Sequence, residues 1–550
     1  MKVESTELRD RAAAWIDDDP DPASQDELRA VLAGLPGTAA DLADRFAGPL
    51  TFGTAGLRGP LRAGPNGMNL AVVTQAAAGL VGWLAAQGGE GPLVIGYDAR
   101  HGSKAFAERT AMVATGAGRD ALVLPRPLPT PVLAYAVRTL GAVAGVMVTA
   151  SHNPPQDNGY KVYLGASLGG AIGAGAQIVP PADAGIEAAI RAVGPLSAVP
   201  LGPDGTVLGE DIVTSYVDSA AGVVDPDGAR DLAVAYTPLH GVGGAVLADA
   251  FVRAGFDRPA VVPEQAEPDP AFPTVAFPNP EEPGAIDRAI ALATATGADI
   301  AIANDPDADR CAVAIPDRIL GWRMLRGDEV GALLADHMMR RGAPGRYATT
   351  IVSSSLLKAI CARRGVPYGE TLTGFKWIVR AGEDLACGYE EALGYCVAPA
   401  LVRDKDGITA ALMIAELAAG LKSELRTLAD RLDELAAEFG VYATDQLSVR
   451  VDDLSEIDTT MAYIRTKTPG ALLDDPITGV DDLMPDADVL ILRSESARVV
   501  VRPSGTEPKL KAYLEVVEPV VDGDVPAARE RAAASVRALR TETAAALGIW

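Results

Sequence analysis

Positive charge is scarce in this chain. Its 550 residues hold 48 Lys and Arg against 73 Asp and Glu, a formal charge of −25. That balance argues against a nucleic-acid groove, which needs a basic face. It also means that an anionic substrate must be met by locally placed Arg and Lys against an unfavourable overall field. Cysteine is equally sparse. Cys311, Cys361, Cys387 and Cys396 show no CxxC spacing, so reduced thiols are expected rather than a disulfide frame or a zinc site. No stretch reaches the roughly 18 apolar residues of a membrane span, and the opening MKVESTELRD lacks the apolar core of a signal peptide. The expectation is a cytoplasmic protein with neither membrane nor nucleic-acid partners.

Two catalytic signatures are missing as well. No GxSxG elbow surrounds Ser151, as a serine hydrolase would require, and the histidines are only His101, His152, His240 and His337. Nor is there a GxxxxGK[ST] loop for nucleotide phosphates.

What the chain does have is a recurring block. PLVIGYDARHGSKAFAERTAMVATG, DLAVAYTPLHGVGGAVLADAFVRAG and RYATTIVSSSLLKAICARRG, beginning near Pro92, Asp231 and Arg346, each run from an apolar strand through a polar or glycine-bearing turn into a helix. Later in each block an apolar run stops at a polar loop: GVMV at TASHNPP, ADIAIA at NDPDADR, LACGY at EEALGY. Ligands of α/β sheets bind beyond the carboxyl ends of strands, so three such loops predict three similar domains facing one cleft. The length is too great for a single core. The expected fold class is α/β, with four domains around a central cleft: three similar mixed-sheet domains and a smaller α+β C-terminal one. Expected bounds are 1–205, 206–318, 319–442 and 443–550. In SQDELRAVL near the start, Ser24 reads as an N-cap with Glu27 completing a capping box. Residues 194–206 read as a linker. Residues 263–283, with seven prolines, read as a loop. The stretch SELRTLADRLDELAAEF reads as the helix closing the third block. The first forty residues either cap the first domain or form a dimer contact, and the protein is expected as a monomer or homodimer.

The loops carry chemistry. Asp305, Asp307 and Asp309 alternate, so a tight loop aims three carboxylates at one point, where they repel unless a cation neutralises them. An EF-hand needs Gly where Arg310 stands and Glu where Pro316 stands, so an oxygen-rich Mg²⁺ site is the better reading and a solvated acidic turn the bland one. RPSGTEPKLK places Arg502, Ser504, Gly505 and Thr506 where a guanidinium, hydroxyls and backbone N–H groups can grip a phosphate, although such a turn is often only a turn. Glu390 and Glu391 can accept from paired sugar hydroxyls, a weak signal alone. Ser151 has as its near histidine only His152, its own neighbour and poorly placed to accept its proton. Beside a metal and a phosphate cradle, Ser151 reads as a phosphoryl carrier. Lys161 is then an acid or base, if neighbouring cations lower its pKa.

TASHNPPQDNGYK, DPDADR, EEALGY and RPSGTEPK, in this order and joined by FGTAGLRG at 52–59, resemble the α-D-phosphohexomutase superfamily of phosphoglucomutases and phosphomannomutases. The likeness runs from about residue 40 to 520. MNLAVVTQAAAGL, YTPLHGVGG, FPTVAFPNPEEPGA, ETLTGFKWI and LVRDKDGITAA are closer still to its phosphoglucomutase-2/phosphopentomutase branch.

The resemblance implies a phosphoserine at Ser151 whose phosphate helps bind Mg²⁺ with Asp305, Asp307 and Asp309. It implies Arg58 on that phosphate, Lys161 as general acid/base, and Arg310 and His152 in the catalytic set. Gly374 and Lys376 fall in a substrate loop, Glu390 and Glu391 on the sugar, and Arg502, Ser504, Gly505 and Thr506 on the non-reacting phosphate. The implied reaction interconverts glucose 1- and 6-phosphates through glucose 1,6-bisphosphate, with mannose or pentose phosphates, or bisphosphate synthesis, as alternatives. A phosphatase and a non-catalytic sugar-phosphate sensor are less favoured. Many relatives carry a Ser and a His in the sugar loop where Ala392 and Tyr395 stand here. Of these two, Tyr395 is expected to keep a donor, which leaves the sugar open.

Overall fold

The runs LVIGY, AGVMV and IAIA are buried at every residue, as strands covered on both faces must be, and parallel sheets are built from such strands. The computed structural model describes residues 2–53, 56–317, 321–451, 453–504 and 509–548. In it those runs sit in two of three sheets that share one topology. In the first domain, Leu93–Tyr97 lies between Ala121–Val123 and Ala144–Val148, all parallel, and the chain then returns antiparallel through Asp157–Leu164. The second domain repeats this with Val234–Thr237 between Ala260–Val261 and Ile300–Ala303, and Ala312–Asp317 returning. The third uses Arg346–Thr350 between Tyr368–Thr371 and Leu385–Glu390, with Gly394–Cys396 returning. Each polar loop named above is the link between the last parallel strand and the antiparallel return. The fourth domain is an antiparallel sheet, containing Val441–Arg450, Lys509–Glu518 and Ala497–Pro503, covered by the helix Val525–Ala546.

Three local expectations change. The early helix spans Pro22–Ala33 and its cap is Asp21, which accepts from Ala23 N. Ser24 lies inside the first turn and donates to Asp21, because a proline at the first helical position already sets the start. Glu27 accepts from Arg45 and Ala63 N instead. The helix closing the third domain begins at Leu428, not Ser423. Thr427 and Asp430 form its capping box, and Leu425 at φ 60° breaks the chain from the preceding helix Gly407–Ser423. The segment expected as a linker ends in the edge strand Thr206–Val207, paired with Ala121–Val123. The N-terminal helices pack on the first domain through Ile16, Leu28, Phe46 and Ala63, and Asp18 accepts from Leu196 N at 2.9 Å.

The apolar interior joins the first three domains and leaves the fourth apart. One continuous cluster includes Leu133 and Met147 of the first, Phe251 and Ile302 of the second, and Tyr389 and Ile414 of the third. The fourth has its own core around Leu492, Val501, Leu514 and Leu539. It meets the third at a small seam where Ile351 and Val352 pack on Ile491, Val500 and Tyr513. Polar contacts pin that seam. Glu515 accepts from Ser355 N at 2.7 Å and Ser355 Oγ at 2.6 Å, and Arg498 donates to the carbonyls of Ile351 and Ser353.

Glu515→Ala is expected to loosen this seam alone. Losing hydrogen bonds to a buried charge costs roughly 2 kcal/mol, about a thirtyfold change. Amide exchange over residues 351–356 should quicken by that order while the sheets of the first two domains keep their protection. Unchanged exchange there would show that Glu515 does not hold the seam.

Candidate functional site

Ser151 is the third residue of the first loop and has φ 50°, a left-handed conformation that a non-glycine residue keeps only when its surroundings enforce it. The enforcement comes from Arg100. Its two terminal nitrogens donate to the carbonyls of Ser151 and Asn153, both at 2.6 Å, and of Pro154 and Asp157 at 2.8 and 3.2 Å. A planar guanidinium fork can make all four bonds and an ammonium cannot. Arg100 is itself buried, paired with Asp98 at 3.3 Å, and lies 4.9 Å from the ring of Phe272, which the proline-rich loop of the second domain supplies. Ser151 Oγ donates to Asp305 Oδ2 at 2.7 Å. The first and second loops thus meet at the serine.

His152, expected to be poorly placed to accept the serine's proton, has its Nδ1 3.1 Å from Ser151 Oγ. Burial, then Arg310 and Arg58, hold the imidazole well below its usual pKa, so it is neutral. With Oγ donating to Asp305, the ring donates to Oγ and orients the serine. Arg58 donates to Asn153 Oδ1 at 3.0 Å on the same loop.

The three aspartates are fully buried, with one oxygen from each lying within 4.8 Å of the others. Asp307 Oδ2 accepts from Lys161 Nζ and Thr130 Oγ1, both at 2.7 Å, and Asp309 Oδ2 accepts from Lys161 Nζ at 3.1 Å. Burial, then Asp307 and Asp309, raise the Asp305 pKa well above the carboxylate range. Burial also opposes ionisation of Asp309, but Lys161, Lys405 and Arg310 outweigh it and lower its pKa. Asp307 Oδ1 and Asp309 Oδ1 are buried without a hydrogen-bond partner. Orphaned carboxylate oxygens beside a third carboxylate fit a hard divalent cation, whose ligands are oxygens.

Lys161 lies on the return strand opposite Met147. Its pKa is not lowered as expected. Burial and Lys405 act in that direction, but Asp307 and Asp309 prevail and raise it.

Arg310 ties the second loop to the third. Its Nη1 donates to Ala392 O at 3.0 Å, and its Nε lies 3.9 Å from Asp305. Glu390 ends the last parallel strand. Burial raises its pKa to about 7, partly offset by Lys405 and Arg310. Glu391 Oε2 accepts from Ser353 Oγ at 3.1 Å. Tyr395, expected to offer a donor to the sugar, is instead fully buried, with its hydroxyl toward Gly327 O at 3.4 Å. Strand alternation explains the change, since Glu390 pairs with Gly394, so Tyr395 pairs with Tyr389 in the core.

The remaining expected residues lie on the third and fourth domains. Gly374, at φ 108°, starts the short helix Phe375–Ile378, and burial pulls Lys376 on it down to about 8. Arg502 and Ser504 are at the end of a hairpin, where Ser504 N donates to Lys509 O at 2.7 Å. Gly505 and Thr506 lie outside the described residues.

Sequence reasoning missed Lys405. Its Nζ reaches Asp309 at 3.2 Å and Asp404 at 3.6 Å and lies 5.4 Å from the Phe375 ring. The flanking acids bind the other domains: Asp404 accepts from Tyr163 of the first, and Asp406 from Tyr216 beside the second, while capping the helix Gly407–Ser423. Four consecutive charges ahead of an apolar helix, RDKD, were the available signal. Arg100 was missed too, although DAR follows a buried strand where a site loop belongs.

Mg²⁺ is expected to stabilise the protein. At 100 times its dissociation constant a ligand of the folded state adds about 2.7 kcal/mol. Thermal unfolding should shift upward with Mg²⁺ in the wild type and little in Asp307→Asn. A wild type indifferent to the cation would overturn the metal assignment.

Comparison with known proteins follows the same division of the chain. Residues 49–194, 214–318 and 326–439 match the phosphoglucomutase/phosphomannomutase alpha/beta/alpha domains I, II and III, and residues 448–531 match the C-terminal domain of that family. A probable phosphomannomutase of Haemophilus influenzae is 46% identical over 82% of this chain and 93% of its own length. A human phosphopentomutase is 32% identical over 95% and 93% respectively, and a phosphoglucomutase of Staphylococcus aureus 30% over 87% and 91%. The crystal structure of a putative phosphomannomutase from Thermus thermophilus superposes with a TM-score of 0.69 at 26% identity, covering 89% of this chain and 99% of the other. With all four domains matched in order, and relatives of this identity spanning most of both lengths, the chain belongs to the phosphoglucomutase/phosphomannomutase family, whose members are phosphosugar mutases.

Proposed function

We propose that the chain interconverts glucose 1-phosphate and glucose 6-phosphate through a phosphoserine at Ser151 and a glucose 1,6-bisphosphate intermediate. The observation that carries the reading is the meeting of the serine and aspartate loops, Ser151 Oγ on Asp305 and Lys161 of the return strand on Asp307 and Asp309, with Arg310 tying them to the sugar loop. In the first transfer the P–Oγ bond of phospho-Ser151 breaks as a bond forms to a sugar hydroxyl oxygen, whose proton leaves to a base in the cleft. Lys161, kept protonated by Asp307 and Asp309, donates to the departing Oγ. After the bisphosphate turns over in the cleft the steps run in reverse: Oγ returns its proton to Lys161 and takes the sugar's other phosphate.

Arg58 and Arg310 stand beside the transferring group, and Arg502 and Ser504 with Gly505 and Thr506 hold the phosphate that does not react. Asp305, Asp307, Asp309 and the serine phosphate would hold Mg²⁺, which when bound neutralises charge on the transferring phosphoryl oxygens. Lys376 and Gly374 line the sugar's path, and Glu390 and Glu391 accept from its hydroxyls. Because one sugar must bind in two opposed orientations, these carboxylates set approximate hydroxyl contacts while the phosphate contacts stay strong.

Mannose and pentose phosphates are the competing substrates, since relatives carry names for all three sugars. Four buried, unpaired cysteines support action in a reducing cytoplasm.

Purified protein with Mg²⁺ and trace glucose 1,6-bisphosphate, followed by ³¹P NMR on glucose, mannose and ribose 1-phosphates, tests the sugar. Glucose 1-phosphate is expected to convert fastest. A preference for another sugar of tenfold or more, about 1.4 kcal/mol in the transition state, would overturn the glucose assignment and leave the mutase. Ser151→Ala is expected to abolish turnover, and a variant that kept it would sink the phosphoserine mechanism.

A further inference from the structure

We propose that Glu281, on the proline-rich loop of the second domain, is a substrate-binding and specificity-determining residue that accepts a hydrogen bond from a ring hydroxyl of the sugar, opposite Glu390. The inference rests on the mutase reading above and names a contact that the sugar loop itself does not supply.

The loop that carries Glu281 is built into the site. Phe272 is buried and lies under Arg100, the guanidinium that shapes the Ser151 loop. Gln265, fully buried, accepts from Thr237 Oγ1 at 2.6 Å and donates to Thr274 Oγ1 at 2.8 Å, and His240 Nε2 lies 2.8 Å from the same hydroxyl. Further on, Asn279 Oδ1 accepts from Glu281 N at 3.1 Å, and Ala285 N donates to Glu282 O at 3.1 Å. The loop is therefore tied down at several points along its length, and Glu281 stands near its end.

The carboxylate of Glu281 has spare acceptor capacity where a ligand belongs. Its nearest cation is Arg310 Nη1 at 3.9 Å, beyond hydrogen-bond reach, and its side chain remains 38% exposed. Among the described residues no donor lies within hydrogen-bond distance of it. The charges that act on it come from three domains: Arg310 of the second, Glu390 of the third and Lys511 of the fourth. A carboxylate that is open to solvent yet faced by three domains is looking into the cleft between them.

The sugar loop, meanwhile, has little else to offer. Ala392 contributes a carbonyl that already accepts from Arg310, Tyr395 is turned into the core, and Glu391, whose Oε2 also accepts from the Ser353 and Thr350 hydroxyls, has less acceptor capacity left for the sugar. The positive charge of Arg310 acts on both Glu281 and Glu390 and offsets part of the repulsion between them. A ring placed there is read from two sides, by Glu390 and Glu281. A site built to bind a hydroxyl discriminates strongly against a substrate that lacks it.

The experiment measures kcat/KM of the full-length enzyme, with Mg²⁺ and trace glucose 1,6-bisphosphate, for glucose 1-phosphate and its 2-, 3- and 4-deoxy analogues. If mannose or ribose 1-phosphate proves the better substrate, the deoxy series of that sugar is used. Wild type, Glu281→Gln and Glu281→Asp are compared. One deoxy analogue should be used at least about tenfold less well than its parent by the wild type. Glu281→Gln should lose a similar factor on the parent sugar and show little further loss on that same analogue, with Glu281→Asp between. If every deoxy penalty is as large in the variants as in the wild type, Glu281 touches no hydroxyl, and the proposal fails. A uniform drop on all substrates would show that it acts only by steadying Arg310, and also overturns it. A wild type that isomerises no sugar phosphate would instead overturn the mutase reading before any variant is made, taking this contact with it.

Discussion

Three buried carboxylates must be compensated, and the source of the compensation organises this molecule. Asp305, Asp307 and Asp309 share one loop, but the cations around them do not. Lys161 comes from the first domain, Arg310 from the second and Lys405 from the third. An unpaired buried charge is among the most costly features a protein can carry. The three domains therefore cannot drift apart without leaving acids uncompensated, and the site and the domain interface are one structure. The continuous apolar cluster through all three domains agrees with this. The fourth domain has a core of its own.

Repetition explains why the chemistry falls where it does. Each of the first three sheets ends its parallel run on a strand that turns straight back, so each polar loop is short and anchored at both ends by backbone pairing. Such an anchor lets one loop hold Ser151 at positive φ, a second hold buried acids, and a third aim Glu390. Loops with looser ends could not keep these conformations.

Much of this was legible in the sequence, and the reasons for the rest are physical. Apolar runs that stop at Ser, Asp or Glu revealed the strands and their loops because fully buried strands leave a long apolar signature. Lys405 and Arg100 were not legible because their role depends on partners brought close only by the fold: Lys405 on Asp309 of another domain, Arg100 on four carbonyls that any sequence would supply. Tyr395 was misread because its side depends on register. With Glu390 facing the cleft, the pairing Glu390–Gly394 turns the next residue inward, and nothing in EEALGY gives that pairing. Ser24 and Ser423 were plausible helix starts by local propensity, but Pro22 and the Thr427–Asp430 pair, stronger local signals, were already present nearby.

The separation of these partners along the chain has a consequence for how the protein is made. Ser151 and Asp305 are 154 positions apart, and Tyr163 and Asp404 are 241. A ribosome adds residues at roughly 5–20 per second, so the serine loop exists for many seconds before the acid that accepts its hydrogen bond, and for longer before the Lys405 that steadies Asp309. During that interval the first domain can close its own sheet but not the charge balance of the cleft. The reactive centre is thus completed only when the third domain has been made as far as residue 405, and a chain cut short before it lacks the lysine that steadies Asp309.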